Sequence, residues 1–157
     1  MPIRIEQATP SDAPIISGLV GDLLQEIMVT TGTKTFGFTS AETEARARAW
    51  LAGGTYLVLL AHQDETVVGF LALSACRALY AEGEFGIIPE LYVRPDCRSQ
   101  GVGRHLVAEA KQVGRSRGWT RLEVTTPPLP QFDRTLAFYE QQGFSISGGR
   151  KMKIDLS

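Results

Sequence analysis

The chain has 157 residues, of which 43% are hydrophobic and 21% charged, and its formal net charge is −1. This is the size and composition of one ordinary globular domain, residues 1–157, with material for a substantial core, and the charge balance argues against nucleic acid as a partner. Cys76 and Cys97 lack a CxxC spacing, which argues against a disulfide framework or a zinc site, so no metal is expected. No run is read as apolar enough to span a membrane, and the start MPIRIEQATPSD is too polar for a signal peptide, so the expected location is cytoplasmic, away from membranes.

Ile3 and Ile5 alternate with Arg4 and Glu6, which predicts a first strand. Thr9 or Ser11 caps a helix carrying Ile15, Ile16, Leu19, Leu23, Ile27 and Met28 at helical spacing. The stretch TTGTKTFG, residues 30–37, breaks that period and reads as a loop. Ser40 opens a second helix that Gly53 and Gly54 close. Three strands follow: residues 55–61, which are apolar enough for a strand covered on both faces, residues 66–74, and residues 85–93. A helix after Gly103 places Leu106, Val107, Ala110 and Val113 on one face. Residues 119–125 alternate as a strand, and Pro127, Pro128 and Pro130 enforce a loop. Residues 131–142 read as a helix, and residues 144–147 and 151–156 as a closing hairpin. This order, an antiparallel meander with one crossover, places the fold in the mixed α/β (α+β) class.

The chain turns on residues 90–104, ELYVRPDCRSQGVGR. A short strand-forming run meets a turn at Pro95, Gly101 and Gly103 follow, and a helix begins. The first N–H groups of a helix lack intrahelical partners and its dipole favours negative charge, so strand, glycine turn and helix N-terminus form an anion site. Arg98 and Arg104 add positive charge on either side. A pyrophosphate-type ligand is the first inference. Gly101 and Gly103 also begin like a dinucleotide fingerprint, but His105 and Leu106 stand where a third glycine or alanine is wanted, which disfavours an NAD-dependent oxidoreductase.

Arg98-x-x-Gly101-x-Gly103, after Leu91-Tyr92-Val93, resembles the acetyl-CoA motif of the GNAT family of N-acetyltransferases. Ala137-Phe138-Tyr139-Glu140-Gln141-Gln142-Gly143-Phe144 resembles that family's late helix, which commonly ends in a tyrosine shortly before a Gly-Phe pair. The resemblance covers nearly the whole chain. It implies a twisted, mostly antiparallel sheet of six to seven strands with a splayed parallel pair and about four helices. It further implies acetyl-CoA as co-substrate. The backbone of Leu91, Tyr92 and Val93 would run beside pantetheine and bond the thioester carbonyl. The turn of Arg98, Ser99, Gln100, Gly101, Val102, Gly103 and Arg104 would hold the pyrophosphate, and Tyr139 would protonate the leaving thiolate. Phe132 stands where many members carry a cofactor-contacting asparagine, in a loop unusually rich in proline.

The implied reaction is direct attack of a small-molecule or peptide amine on the thioester in a ternary complex. An alkylamine is mostly protonated at neutral pH, so a base must take a proton. Glu90 and Glu123 are the candidates, and Glu90 is preferred: alternation places it and Tyr92 on the sheet face opposite Leu91 and Val93. Trp50, Phe36, Phe38 and Tyr80 are candidate pocket aromatics, although residues at such spacings are more often core. His62 and His105 have no metal-spacing partner and read as structural or solvated. A non-catalytic acyl-CoA-binding or regulatory module on the same scaffold is the alternative. Dimers are frequent in the family, which leaves a homodimer open.

Overall fold

A computed structural model of the chain describes residues 2–34 and 37–156. It contains strands β1 (Ile3–Gln7), β2 (Tyr56–Gln63), β3 (Thr66–Ala78), β4 (Gly83–Ile88), β5 (Leu91–Val93) and β6 (Leu122–Val124). The four α-helices are α1 (Ala13–Thr31), α2 (Ser40–Gly53), α3 (Val102–Ser116) and α4 (Asp133–Gln141). The six strands form one sheet in the order β1-β2-β3-β4-β6, with β5 pairing β3 beside β4. All pairs are antiparallel except β4 and β6.

The two central strands explain the layering. β2 and β3 are apolar on both faces, so the sheet must be covered twice. Leu57, Leu59, Leu71 and Leu73 pack against Val102, Leu106, Val107 and Ala110 of α3. Val58, Leu60, Phe70 and Ala72 pack on the other face against Ala13, Ile16 and Leu19 of α1 and Ala47 of α2. Each such leucine contributes about 1.5–3 kcal/mol by leaving water.

Several sequence expectations change. The run at residues 85–93 is two strands. Ala72 and Leu73 lie between the pairs Ser74↔Ile87 and Leu71↔Leu91, whereas Ile88, Pro89 and Glu90 occupy the same gap on the partner strand. This is a β-bulge of one extra residue, sited where proline removes a ladder donor. The strand at residues 119–125 shortens to Leu122–Val124, and the last helix begins at Asp133, after the prolines. The closing hairpin does not form. Residues 144–156 carry no strand, and Ile146, Met152, Ile154 and Leu156 are exposed. Gly148 and Gly149 raise the entropy cost of that turn, and an isolated two-stranded ribbon is only marginally stable. The far edge of β6 is therefore unpaired among the described residues. The stretch Pro10–Thr31 is long and apolar enough to cross a membrane by length and composition, contrary to the sequence reading. Here Ile16 and Leu19 of that stretch are spent on the core. Thr30 and Thr31 belong to α1, which Gly32 ends at φ 70°, and Phe36 lies outside the described residues.

Candidate functional site

The bulge sets up the site. β4 and β6 run parallel as far as Ile88↔Val124, and beyond that point β5 pairs with β3 alone. Glu90 O accepts from Ala72 N and Arg94 N donates to Val68 O, so by antiparallel alternation Tyr92 turns its backbone groups to β3. Leu91 and Val93 then present theirs to the open side, away from β3. Val93 O is already taken, because Arg98 Nε donates to it at 2.8 Å. Leu91 and Val93 side chains face α3, whereas Tyr92 faces α1 and α2, which is the alternation expected from sequence.

The chain then reaches the glycine turn. Ser99 is left-handed at φ 65°, and Gly101, the N-cap of α3, sits at φ 85° without a side-chain cap. The first backbone bond of the helix runs from His105 N to Gly101 O. The N–H groups of Val102, Gly103 and Arg104 thus have no intrahelical acceptor. Arg104 is exposed and makes no ion pair among the described residues. His105 is structural: its Nδ1 lies 2.7 Å from Gly101 O. Gln100 accepts from Gln63 at 3.0 Å. A Cβ on Gly103 would stand 3.0 Å from the Phe138 ring, so this glycine lets α4 approach α3. Arg98 is committed elsewhere. Besides Val93 O it pairs with Glu26 of α1 at 2.8 Å and lies 5.5 Å from the centre of the Tyr92 ring.

On the α1/α2 face, Glu90 Oε1 accepts the Tyr56 hydroxyl. Burial pushes the Glu90 carboxyl above its usual range, and the Tyr56 bond offsets part of this. Burial, followed by the Glu90 charge, pushes Tyr56 up as well. Sequence reasoning missed Tyr56. Its only signal was a hydroxyl-bearing residue opening an otherwise apolar strand.

Tyr139 is buried on the other side, edge-on to Phe138 and Phe144 at centroid distances of 5.3 and 5.4 Å. Burial raises its pKa, so the phenol stays protonated through the neutral range. Glu123 lies on β6 and pairs with Arg121 at 2.7 Å, half exposed. Tyr139 and Glu123 both line an open cleft of about 1340 Å³, together with Leu122 and Val124 of β6 and Lys111 and Arg115 of α3. Neither Glu90 nor the first turn of α3 lines it. The structure therefore joins Glu90 to Tyr56, and among the described residues Glu90 shares neither a hydrogen bond nor this cleft with Glu123 or Tyr139. Among the described residues, no cluster of His, Cys, Asp or Glu could hold a metal ion.

Known proteins resemble this chain in sequence and in fold. The model of the acetyltransferase (GNAT) family matches residues 23–144. An IAA acetyltransferase from Azospirillum brasilense is 32% identical over 90 residues, which are 57% of this chain and 55% of that protein. The chain thus spans about half the length of that curated relative. An integron cassette protein from the mobile metagenome of Cole Harbour Salt Marsh shares the fold with a TM-score of 0.81 at 22% identity, over 98% of this chain and 90% of that one. An aminoglycoside acetyltransferase from an uncultured soil metagenomic sample, solved with trehalose, does so with a TM-score of 0.78 at 20% identity, over 99% and 97%. The family match runs from within α1, through the bulge and the glycine turn, to Phe144 just beyond α4, and the chain belongs to the acetyltransferase (GNAT) family.

Proposed function

We propose that the protein is an N-acetyltransferase that moves the acetyl group of acetyl-CoA to the primary amine of a small molecule, in a ternary complex. The observation that carries the reading is an open backbone edge, Leu91 to Val93, ending beside an uncapped helix N-terminus at Gly101. The donor set fits the co-substrate. The N–H groups of Val102, Gly103 and Arg104, with the Arg104 guanidinium, suit a pyrophosphate. The outward groups of Leu91 and the Val93 N–H suit the amides of pantetheine. Arg98, engaged with Glu26 and Val93, braces this edge and is not assigned to the phosphates.

Acetyl-CoA supplies an activated acyl group as a thioester. The amine nitrogen forms the new C–N bond as the C–S bond breaks. Glu90 receives the proton the nitrogen sheds, and Tyr139 donates one to the departing sulfur. The raised carboxyl pKa makes Glu90 a better base than an exposed glutamate. Relatives named as acetyltransferases of IAA and of aminoglycosides support a small-molecule acceptor.

Isothermal titration with acetyl-CoA and CoA, followed by a transfer screen across amine classes, tests this reading. Absence of binding at millimolar ligand sinks it. Binding without transfer to any amine favours a non-catalytic acyl-CoA sensor. Tyr139→Phe is expected to lower kcat by about 10²-fold, within the range for general acids, while acetyl-CoA affinity holds. An unchanged rate and pH profile remove Tyr139 from the mechanism.

A further inference from the structure

We propose that Tyr56 is the positioning residue of Glu90, and that Tyr56 and Trp50 form an aromatic wall that receives a monocationic amine on an apolar or aromatic body. This rests on the reading of Glu90 as the group that takes the amine's proton. Tyr56 and Glu90 lie 34 residues apart and meet because β2, β3 and the β4–β5 strand are neighbours in the sheet. Tyr56 pairs with Ser74, and Glu90 O accepts from Ala72 N two residues along the same strand. Both side chains therefore stand on the α1/α2 face.

The Tyr56 hydroxyl engages Oε1 of Glu90. No second hydrogen bond engages the carboxylate among the described residues, and no buried side-chain oxygen lacks a partner, so Oε2 is not fully buried and carries no protein partner. One oxygen is anchored and the other is free to meet an incoming N–H. The α2–β2 junction, closed by Gly54 at φ 81°, brings the end of the helix onto the start of the strand. It sets the Trp50 ring 5.2 Å from that of Tyr56, tilted by 58°. Trp50 remains 50% exposed, an unusual cost for a tryptophan with only packing to perform. Aromatic faces attract cations and cover apolar carbon alike.

The polar surroundings match an amine with one charge. Tyr56 faces Glu90 from β2, and Tyr92 shares its face on the bulged strand. Asp22 and Glu26 of α1 act on Tyr92, where Arg94 and Arg98 oppose them. Glu90 is the carboxylate that directly adjoins the aromatic pair.

The test uses the full chain with Tyr56→Phe, which keeps the ring and its contact with Trp50, and Trp50→Leu. The titration of Glu90 is followed by carbon-13 NMR of its carboxyl carbon, without substrate. Its midpoint is expected at higher pH in Tyr56→Phe, because a donor favouring the carboxylate is gone. The acidic limb of kcat/KM with phenethylamine should move the same way, with kcat down about tenfold and acetyl-CoA affinity within about twofold. In Trp50→Leu, KM for phenethylamine should rise about tenfold with little change in kcat. An unmoved midpoint in a wild type that turns over overturns the role of Tyr56 alone. An unchanged KM overturns the aromatic wall. Failure of the wild type to bind acetyl-CoA sinks the acetyltransferase reading and, with it, the role given to the pair.

Discussion

Gly69 offers a sharp test of the packing behind the site. It pairs with Val93, and a Cβ there would lie 2.7 Å from Tyr92 O and 3.3 Å from Val93 Cα. Both neighbours are backbone, so no rotamer change relieves the contact. The β5 carbonyl would have to retreat by roughly 0.7 Å to reach an ordinary separation. Overpacking of this kind costs about 1–3 kcal/mol, and replacing a strand glycine returns about 0.5–1 kcal/mol. Gly69→Ala should therefore destabilise by up to about 2.5 kcal/mol, which lowers Tm by up to about 10 °C in a chain of this size. Differential scanning calorimetry measures it, with Gly18→Ala as the control. Gly18 lies on the exposed side of α1 with nothing within 4 Å of its Cβ position, so alanine there should raise stability by about 0.8–1 kcal/mol. Acetyl-CoA affinity should fall in Gly69→Ala and hold in Gly18→Ala, because the displaced carbonyl lies between Leu91 and Val93. A Gly69→Ala protein that melts at or above the wild-type temperature refutes the reasoning.

Glu90→Gln tests the buried carboxyl through thermal melts across pH. The folded pKa is raised, so the protonated group's contribution to stability is present below the unfolded value of about 4.3 and is lost as pH rises through the folded midpoint. The variant should melt above wild type near neutral pH, with the gap closing in acid; a gap independent of pH contradicts the assignment. The two motif arginines should separate. Arg98→Ala should lower Tm by a few degrees, because it releases Glu26 and Val93 O, an effect on the order of 1 kcal/mol. Arg104→Ala should leave Tm unchanged and weaken CoA binding severalfold, with a shallower salt dependence in calorimetric titrations at two ionic strengths. Reversed outcomes would exchange the roles of the two side chains.

The helices and central strands were legible because their burial repeats within the segment. The nearly all-apolar run of residues 55–61 read as a strand covered on both faces, and residues 57–61 of β2 are buried. The opposite facing of Tyr92 and Leu91 followed from alternation alone. Tyr56 beside Glu90 was not legible, because it depends on which strands become neighbours across 34 residues. The commitment of Arg98 to Glu26 was hidden for the same reason, since α1 and the glycine turn meet only through the sheet. The closing hairpin was over-read. Met152, Ile154 and Leu156 have the period of a strand, but period does not supply a partner.

Pro89 and its neighbours carry a further consequence. Gly86 faces Trp119 and Ile88 packs with α3, so residues of even number in β4 point to the α3 side. Beyond the bulge the parity inverts, and Tyr92 points to α1 and α2. The side of the sheet on which Glu90 stands is thus encoded by a count of residues rather than by its chemistry. Deleting Pro89 alone would close the bulge, setting Ile88 opposite Leu73 and Glu90 opposite Ala72 in one unbroken ladder, so that the carboxylate, Leu91 and Val93 keep their faces while the break between β4 and β5 disappears. The extra residue therefore governs where β4 stops and β5 begins to stand apart from β6, and its loss would test the opening of the strand edge with every side chain of the site still present and still facing the same way.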